Sequence, residues 1–163
     1  MYRQSFEKIT AALLPACLAV YGDRLKSVAL FGSVARGTMR PDSDIDVLLV
    51  VDDLPNGPRN RLLEFERVEA ALDPLLAEAR AAGVHTDVCP IFKTPDELIR
   101  GSLLFLDMTD QAVILHDPTG LLRNYLDDLT HRLQAMGAQR VYKGGSYYWL
   151  LKPDFRPGDR IEL

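Results

Sequence analysis

Two short apolar runs constrain this chain more than anything else in it. Ser27-Val28-Ala29-Leu30-Phe31 stops at Gly32, and a second run occupies Asp44 to Val51. Between them lies a segment dense in Gly, Ser, Arg, Pro and Asp, the composition of a loop or of a loop with one helical turn. In the second run Ile45, Val47, Leu48, Leu49, Val50 and Val51 are too closely spaced for a strand with one wet face. Such density belongs to a strand covered on both sides, which requires helices above and below the sheet.

The rest of the chain supplies those helices. Phe6, Ile9, Leu13, Cys17 and Val20 recur at steps of three and four over Ser5 to Val20, one face of a helix. Pro15 falls inside it and predicts a kink or two short helices. Asn60 to Ala82 carries the strongest helical period, with Pro74 as a point of division and Gly83 as a C-terminal cap. Val84 to Phe92 alternates and predicts a third strand. Thr94-Pro95-Asp96-Glu97 reads as a capping box that opens a helix ending near Gly101. Gln111 to Leu115 is a fourth strand or a helix edge. Asp117-Pro118-Thr119 opens a last helix, with Leu122, Leu126, Leu129 and Leu133 on one face and Gly137 after it. Strands and helices therefore alternate, and the expected class is α/β (α+β), a small mixed β-sheet flanked by helices. The domain is expected over residues 1–137, followed by an aromatic and basic tail over 138–163.

Composition narrows the partners. The chain has 163 residues, enough for one domain, with 47% hydrophobic and 26% charged residues. The net charge of −4 argues against a broad nucleic-acid surface but leaves room for a local basic pocket. No apolar run approaches the roughly 20 residues of a membrane span. The first residues lack the apolar core of a signal peptide. Cys17 and Cys89 sit in apolar segments without metal-ligand spacing, so a cytoplasmic chain with reduced, structural thiols is expected.

The chemistry concentrates in Gly32 to Asp46. Side chains alternate along a strand, so Asp44 and Asp46 share one side, about 7 Å apart. Two carboxylates that close repel unless a cation lies between them, and oxygen-only donors suit a hard divalent ion such as Mg²⁺. Gly32, Ser33 and Gly37 offer small residues and backbone N–H groups to a polyphosphate. Arg36 is either a phosphate ligand or a structural contact to an acid. Asp87 is the one acid of the third apolar segment, where an unpaired carboxylate is costly. It is a ligand, a buried hydrogen-bonded acid or an edge-strand acid. Each feature alone has an ordinary structural explanation. Their joint occurrence points to a site for two divalent ions and a nucleoside triphosphate.

Leu30-Phe31-Gly32-Ser33-Val34-Ala35-Arg36-Gly37, with Ser43-Asp44-Ile45-Asp46-Val47-Leu48, resembles the minimal nucleotidyltransferases of the DNA polymerase beta superfamily. Their signature is Gly-Ser, ten residues, Asp-x-Asp, and Val34 to Ser43 is ten. The resemblance extends over roughly residues 5–115 and implies a polymerase-beta-like fold. It implies that Asp44 and Asp46 bind two Mg²⁺ ions and that Asp87 supplies the third acid. Gly32 and Ser33 would contact the triphosphate. Val34 stands where many members carry a polar or bulky residue, which bears on the acceptor and not on the metals.

The function so implied is transfer of a nucleoside monophosphate, AMP from ATP, to a hydroxyl, with release of pyrophosphate. Proteins of this kind pair with a helical HEPN-domain protein as antitoxin and toxin, the transferase adding AMP to a tyrosine of the toxin. The absence of an obvious second substrate domain fits an acceptor brought by a partner. Aromatic residues from Tyr142 to Phe155 suit an interface, or cover for the chain's own body. An aminoglycoside-type transferase acting on a small molecule and a non-catalytic occluding subunit are the competing readings. His85 fits a surface position or a general base; His116 and His131 fit loop and helix surfaces. Tyr147-Tyr148-Trp149 fits packing or a base-stacking platform.

Overall fold

The structure is a computed structural model and describes residues 1–161. Four strands form one mixed sheet: β1 (Leu25–Phe31), β2 (Ile45–Val51), β3 (Val88–Lys93) and β4 (Val113–His116). Their order is β3-β2-β1-β4, with β2 and β3 parallel and the other pairs antiparallel. The dense apolar run of β2 is buried on both faces, as its sequence requires. Val47, Leu49 and Val51 meet α1 (Tyr2–Tyr21) and α3 (Pro58–Ala81). Leu48 and Val50 meet Leu98, Phe105, Met108 and the leucine stripe of α6 (Leu121–Ala135) on the other side.

Neither internal proline divides its helix. α1 runs unbroken through Pro15 and α3 through Pro74. Each proline lies on the solvent side and deprives only Ala11 or Ala70 of its i+4 donor. Both alanines are exposed, so their freed carbonyls are open to solvent, while a continuous buried face keeps the helix unbroken through the defect. Gly83, with φ +85°, follows α3 as its C-terminal stop.

The capping box is present in full. Thr94 Oγ1 accepts from the Glu97 N–H, and the Glu97 carboxylate accepts from the Thr94 N–H, at the start of α4 (Pro95–Arg100). The same carboxylate takes both guanidinium Nη atoms of Arg61 at 2.8 Å and ties α4 to α3. Asp117 precedes α6 and accepts from the Leu122 and Arg123 N–H groups. Its Oδ1 also accepts from Ser27, a fully buried hydroxyl of β1.

The third strand is shorter than the alternation of 84–92 predicts, beginning at Val88. The Val84 N–H is taken by the Ala79 carbonyl at the end of α3, and the His85 N–H by Pro41, so neither is free for a ladder. The strand is also an edge strand, where Pro90 is tolerated because its missing N–H is not needed. The fourth apolar run is a strand, β4, and α5 (Met108–Gln111) precedes it.

Residues 139–150 fold as a hairpin, β5 (Gln139–Lys143) and β6 (Ser146–Leu150), joined by Gly144 and Gly145. Both glycines have positive φ, 59° and 83°, the backbone of a two-residue hairpin turn. Trp149 packs on the α6 side of the core. Among the described residues no helix is long and apolar enough to cross a membrane.

Candidate active site

The site lies where β1 and β2 open at one end of the sheet. β1 runs directly into α2 (Gly32–Arg36), and Phe31 pairs with Asp46 across the ladder. Gly32 therefore sits against the Asp46 carboxylate. A Cβ on Gly32 would collide with Asp46 Oδ2 and stand 3.3 Å from its Cγ. Gly32 also has φ +71°, backbone that side-chain-bearing residues rarely adopt. The glycine is fixed by both demands at once.

Asp44 is exposed and Asp46 half-buried. Burial, and next the Asp44 charge, push the Asp46 carboxyl above its ordinary range, with Arg36 opposing them. Arg36 is thus within reach of Asp46 as the positive charge of the site. The loop after α2 is clamped from α1, where Arg3 donates to the Gly37 carbonyl at 3.1 Å. The Thr38 N–H closes back on the Ser33 carbonyl. Gly32, Ser33, Arg36, Asp44 and Asp46 are accordingly gathered by consecutive elements.

Asp87 is placed differently. Its backbone is locked to the Asp-x-Asp segment: its N–H donates to Asp44 Oδ1 at 3.1 Å, and its carbonyl accepts from the Ile45 N–H at 2.9 Å. Asp87 also borders a cavity of about 200 Å³ with Glu69, Asp73, Leu76 and Val88 on the α3 side. It is an exposed acid immediately outside an edge strand, and not the costly acid of a central apolar strand that the sequence suggests. Burial and the charges of Glu66, Asp73 and Asp87 raise the Glu69 carboxyl. Among the described residues no three His, Cys, Asp or Glu side chains converge to hold a metal ion.

Parallel pairing sets Cys89 beside Asp46. Cys17 is buried, its thiol pushed up to about 12 by burial, but Cys89 is exposed and not the packed thiol expected. Burial raises the Cys89 thiol first, and Asp44, Asp46 and Asp87 raise it further. Cys89 is thus the ladder neighbour of Asp46 and feels the charge of all three acids. Sequence inspection misses it because the register of two parallel strands is a long-range property. His85 is exposed and outside the strand.

The donor set fits Mg²⁺. Asp44 and Asp46 are hard oxygen ligands whose repulsion a cation relieves, and the missing Cβ of Gly32 leaves the Asp46 carboxylate open to it.

Residues 14–105 match the nucleotidyltransferase domain family, a span that contains Gly32, Ser33, Arg36, Asp44, Asp46 and Asp87. A Methanocaldococcus jannaschii protein assigned as a protein adenylyltransferase is 30% identical over 129 residues, covering 78% of this chain and 82% of its own. A toxin–antitoxin crystal structure with AMP-PNP aligns over 83% of this chain and 91% of the solved one, at 19% identity and a TM-score of 0.44. A variant of the MntA–HpeT toxin–antitoxin aligns over 75% and 87%, at 20% identity and a TM-score of 0.49. On the family match and the curated relative, this chain is a member of the nucleotidyltransferase domain family.

Proposed function

We propose that this chain transfers AMP from ATP to a hydroxyl group of a protein, releasing pyrophosphate. The observation that carries the reading is the contact of Gly32 with the Asp46 carboxylate, which fixes a small-residue cradle against the Asp-x-Asp pair. Protein as the acceptor class is supported by the 30% identical relative assigned as a protein adenylyltransferase. Gly32 and Ser33 receive the triphosphate by close backbone approach, and Arg36 adds a charge-assisted contact. Asp44, Asp46 and Asp87 are the residues that would hold Mg²⁺, two ions being expected. Bound there, the metal neutralises phosphate charge and acidifies the acceptor hydroxyl. The acceptor oxygen bonds to the α-phosphorus as the bond from that phosphorus to the β-bridging oxygen breaks, and pyrophosphate departs. Asp87 takes the hydroxyl proton. The residues act by positioning and charge, as phosphoryl chemistry requires.

The acceptor we propose is a tyrosine of a helical HEPN-type toxin, with this chain as antitoxin, as the resemblance of the Gly-Ser and Asp-x-Asp segments implies. The outer face of the C-terminal hairpin supports a partner contact there, since Tyr148 and Leu150 are exposed. The test is incubation of this protein with Mg-ATP and the product of the adjacent gene, read by intact-mass spectrometry. One AMP increment on a partner tyrosine is the expected result. Modification of a small molecule alone would favour the aminoglycoside-type reading. A tight complex with no nucleotide transfer would favour an occluding subunit.

A further inference from the structure

The hairpin has a second face, and that face is turned to the body of the protein. Arg140 pairs with Trp149 and Tyr142 with Tyr147, so these four side chains share one side of the ribbon. Arg140 lies over the rings of both Trp149 and Tyr147, 4.8 and 5.3 Å from their centroids. Asp107, the residue before α5, accepts from Tyr147 Oη at 2.6 Å and from Trp149 Nε1 at 3.0 Å. Asp110 within α5 takes both Nη atoms of Arg140. α5 in turn packs against α2, the helix that carries Gly32, Ser33 and Arg36. Asp107 and Asp110 thus join this face of the hairpin to the segment that packs on α2.

Tyr142 continues the face past the last anchored residue. Its ring stands 5.7 Å from that of Tyr147, tilted by 53°, yet it is 72% exposed. An aromatic ring on the inward face of a docked ribbon, with nothing beneath it, is an open stacking surface. A triphosphate held at Gly32, Ser33 and Arg36 carries a planar base at its other end, and base–aromatic stacking is tolerant of base identity.

We infer that the Tyr142–Tyr147 face of the C-terminal hairpin is the platform on which the nucleobase of the bound nucleoside triphosphate stacks. The proposal rests on the nucleotide-transfer reading of the cradle. It makes the hairpin part of the nucleotide site through its inner face, while the outer face stays available to a partner. Tyr142 is the residue to test, because neither Asp107 nor Asp110 accepts a hydrogen bond from it.

The experiment compares Mg-ATP with Mg-tripolyphosphate, which has the phosphates and no base. Affinities are measured by calorimetry for the wild type, Tyr142→Ala and Tyr142→Phe. Emission of Trp149, the one tryptophan of the chain, checks that the hairpin remains docked in each. The expected result is a wild type that favours ATP, about ten-fold weaker ATP binding in Tyr142→Ala with tripolyphosphate unchanged, and recovery in Tyr142→Phe. ATP binding in Tyr142→Ala equal to wild type overturns the platform and leaves the cradle standing. A wild type that binds neither ligand overturns the cradle reading, and the platform with it.

Discussion

A Cβ has no room at Gly32 beside the Asp46 carboxylate, so the glycine and the acid form a single unit of structure. Gly32→Ala puts a methyl group into that oxygen and strains backbone at φ +71°. We expect a loss of about 1–2 kcal/mol in stability from the left-handed backbone. Nucleotidyl transfer should fall by about 100-fold or more, because the displaced carboxylate no longer meets its ligands in register. Denaturant titration and a label-transfer assay read the two effects separately.

Asp46→Asn should abolish transfer while raising the melting temperature of the metal-free protein. The carboxyl is raised above its ordinary value by burial and by Asp44, so the folded state binds its proton more tightly than the unfolded state does. The stability cost of that acid is absent at low pH and appears as pH rises from the unfolded value through the raised folded one. The melting-temperature gain of the Asn variant should therefore be seen at neutral pH and vanish in acid. A variant less stable than wild type at pH 7 would show that the carboxylate is held by attraction and not by strain.

Asp87→Asn separates orientation from placement. The backbone bonds to Asp44 and Ile45 remain in the variant. Removing the charge should lower the apparent pKa of Glu69, which Asp87 helps to raise. If Asp87 also serves as proton acceptor, transfer falls steeply at neutral pH and recovers in part at higher pH. An unchanged rate would confine Asp87 to the Glu69 cavity.

Glu97 carries two loads, the reciprocal cap of α4 and the ion pair with Arg61, whose side chain is 14% exposed. Glu97→Ala should cost about 2 kcal/mol, from the lost cap and from a guanidinium left half-buried without its partner. The Arg61 hydrogen bonds hold the carboxyl at about 2, below its ordinary 4.5. This stabilisation is complete above pH 4.5 and is lost as pH falls toward 2. Urea midpoints across that range should show an acid-labile component in wild type that the variant lacks.

Asp117→Ala should be comparably costly, about 2–3 kcal/mol. It frees two N–H groups at the start of α6 and leaves the buried Ser27 hydroxyl without its acceptor. Ser27→Ala combined with it should restore part of the loss, which a double-mutant cycle by thermal unfolding measures.

Much of this was legible in the residues. The unbroken apolar density of Ile45–Val51 requires a strand covered on both faces, and Gly32-Ser33 and the Asp44-Ile45-Asp46 segment mark the two ends of the loop between β1 and β2. These are local properties: a strand alternates, a turn needs glycine, a capping box closes within four residues. The Gly144-Gly145 pair between β-prone Tyr and Trp was equally local and marks the hairpin, although the turn-rich composition around it suggests an irregular tail. Pro15 and Pro74 mislead for the opposite reason, since local propensity yields to the burial of a whole helix face. Only the tertiary structure decided that β3 lies at the edge, that Asp87 borders a cavity with Glu69, that Cys89 pairs with Asp46 and that the hairpin docks on Asp107. Each depends on which distant segments share a boundary. Pattern within a segment fixes which face is apolar, but register between segments is set by the packing of the whole.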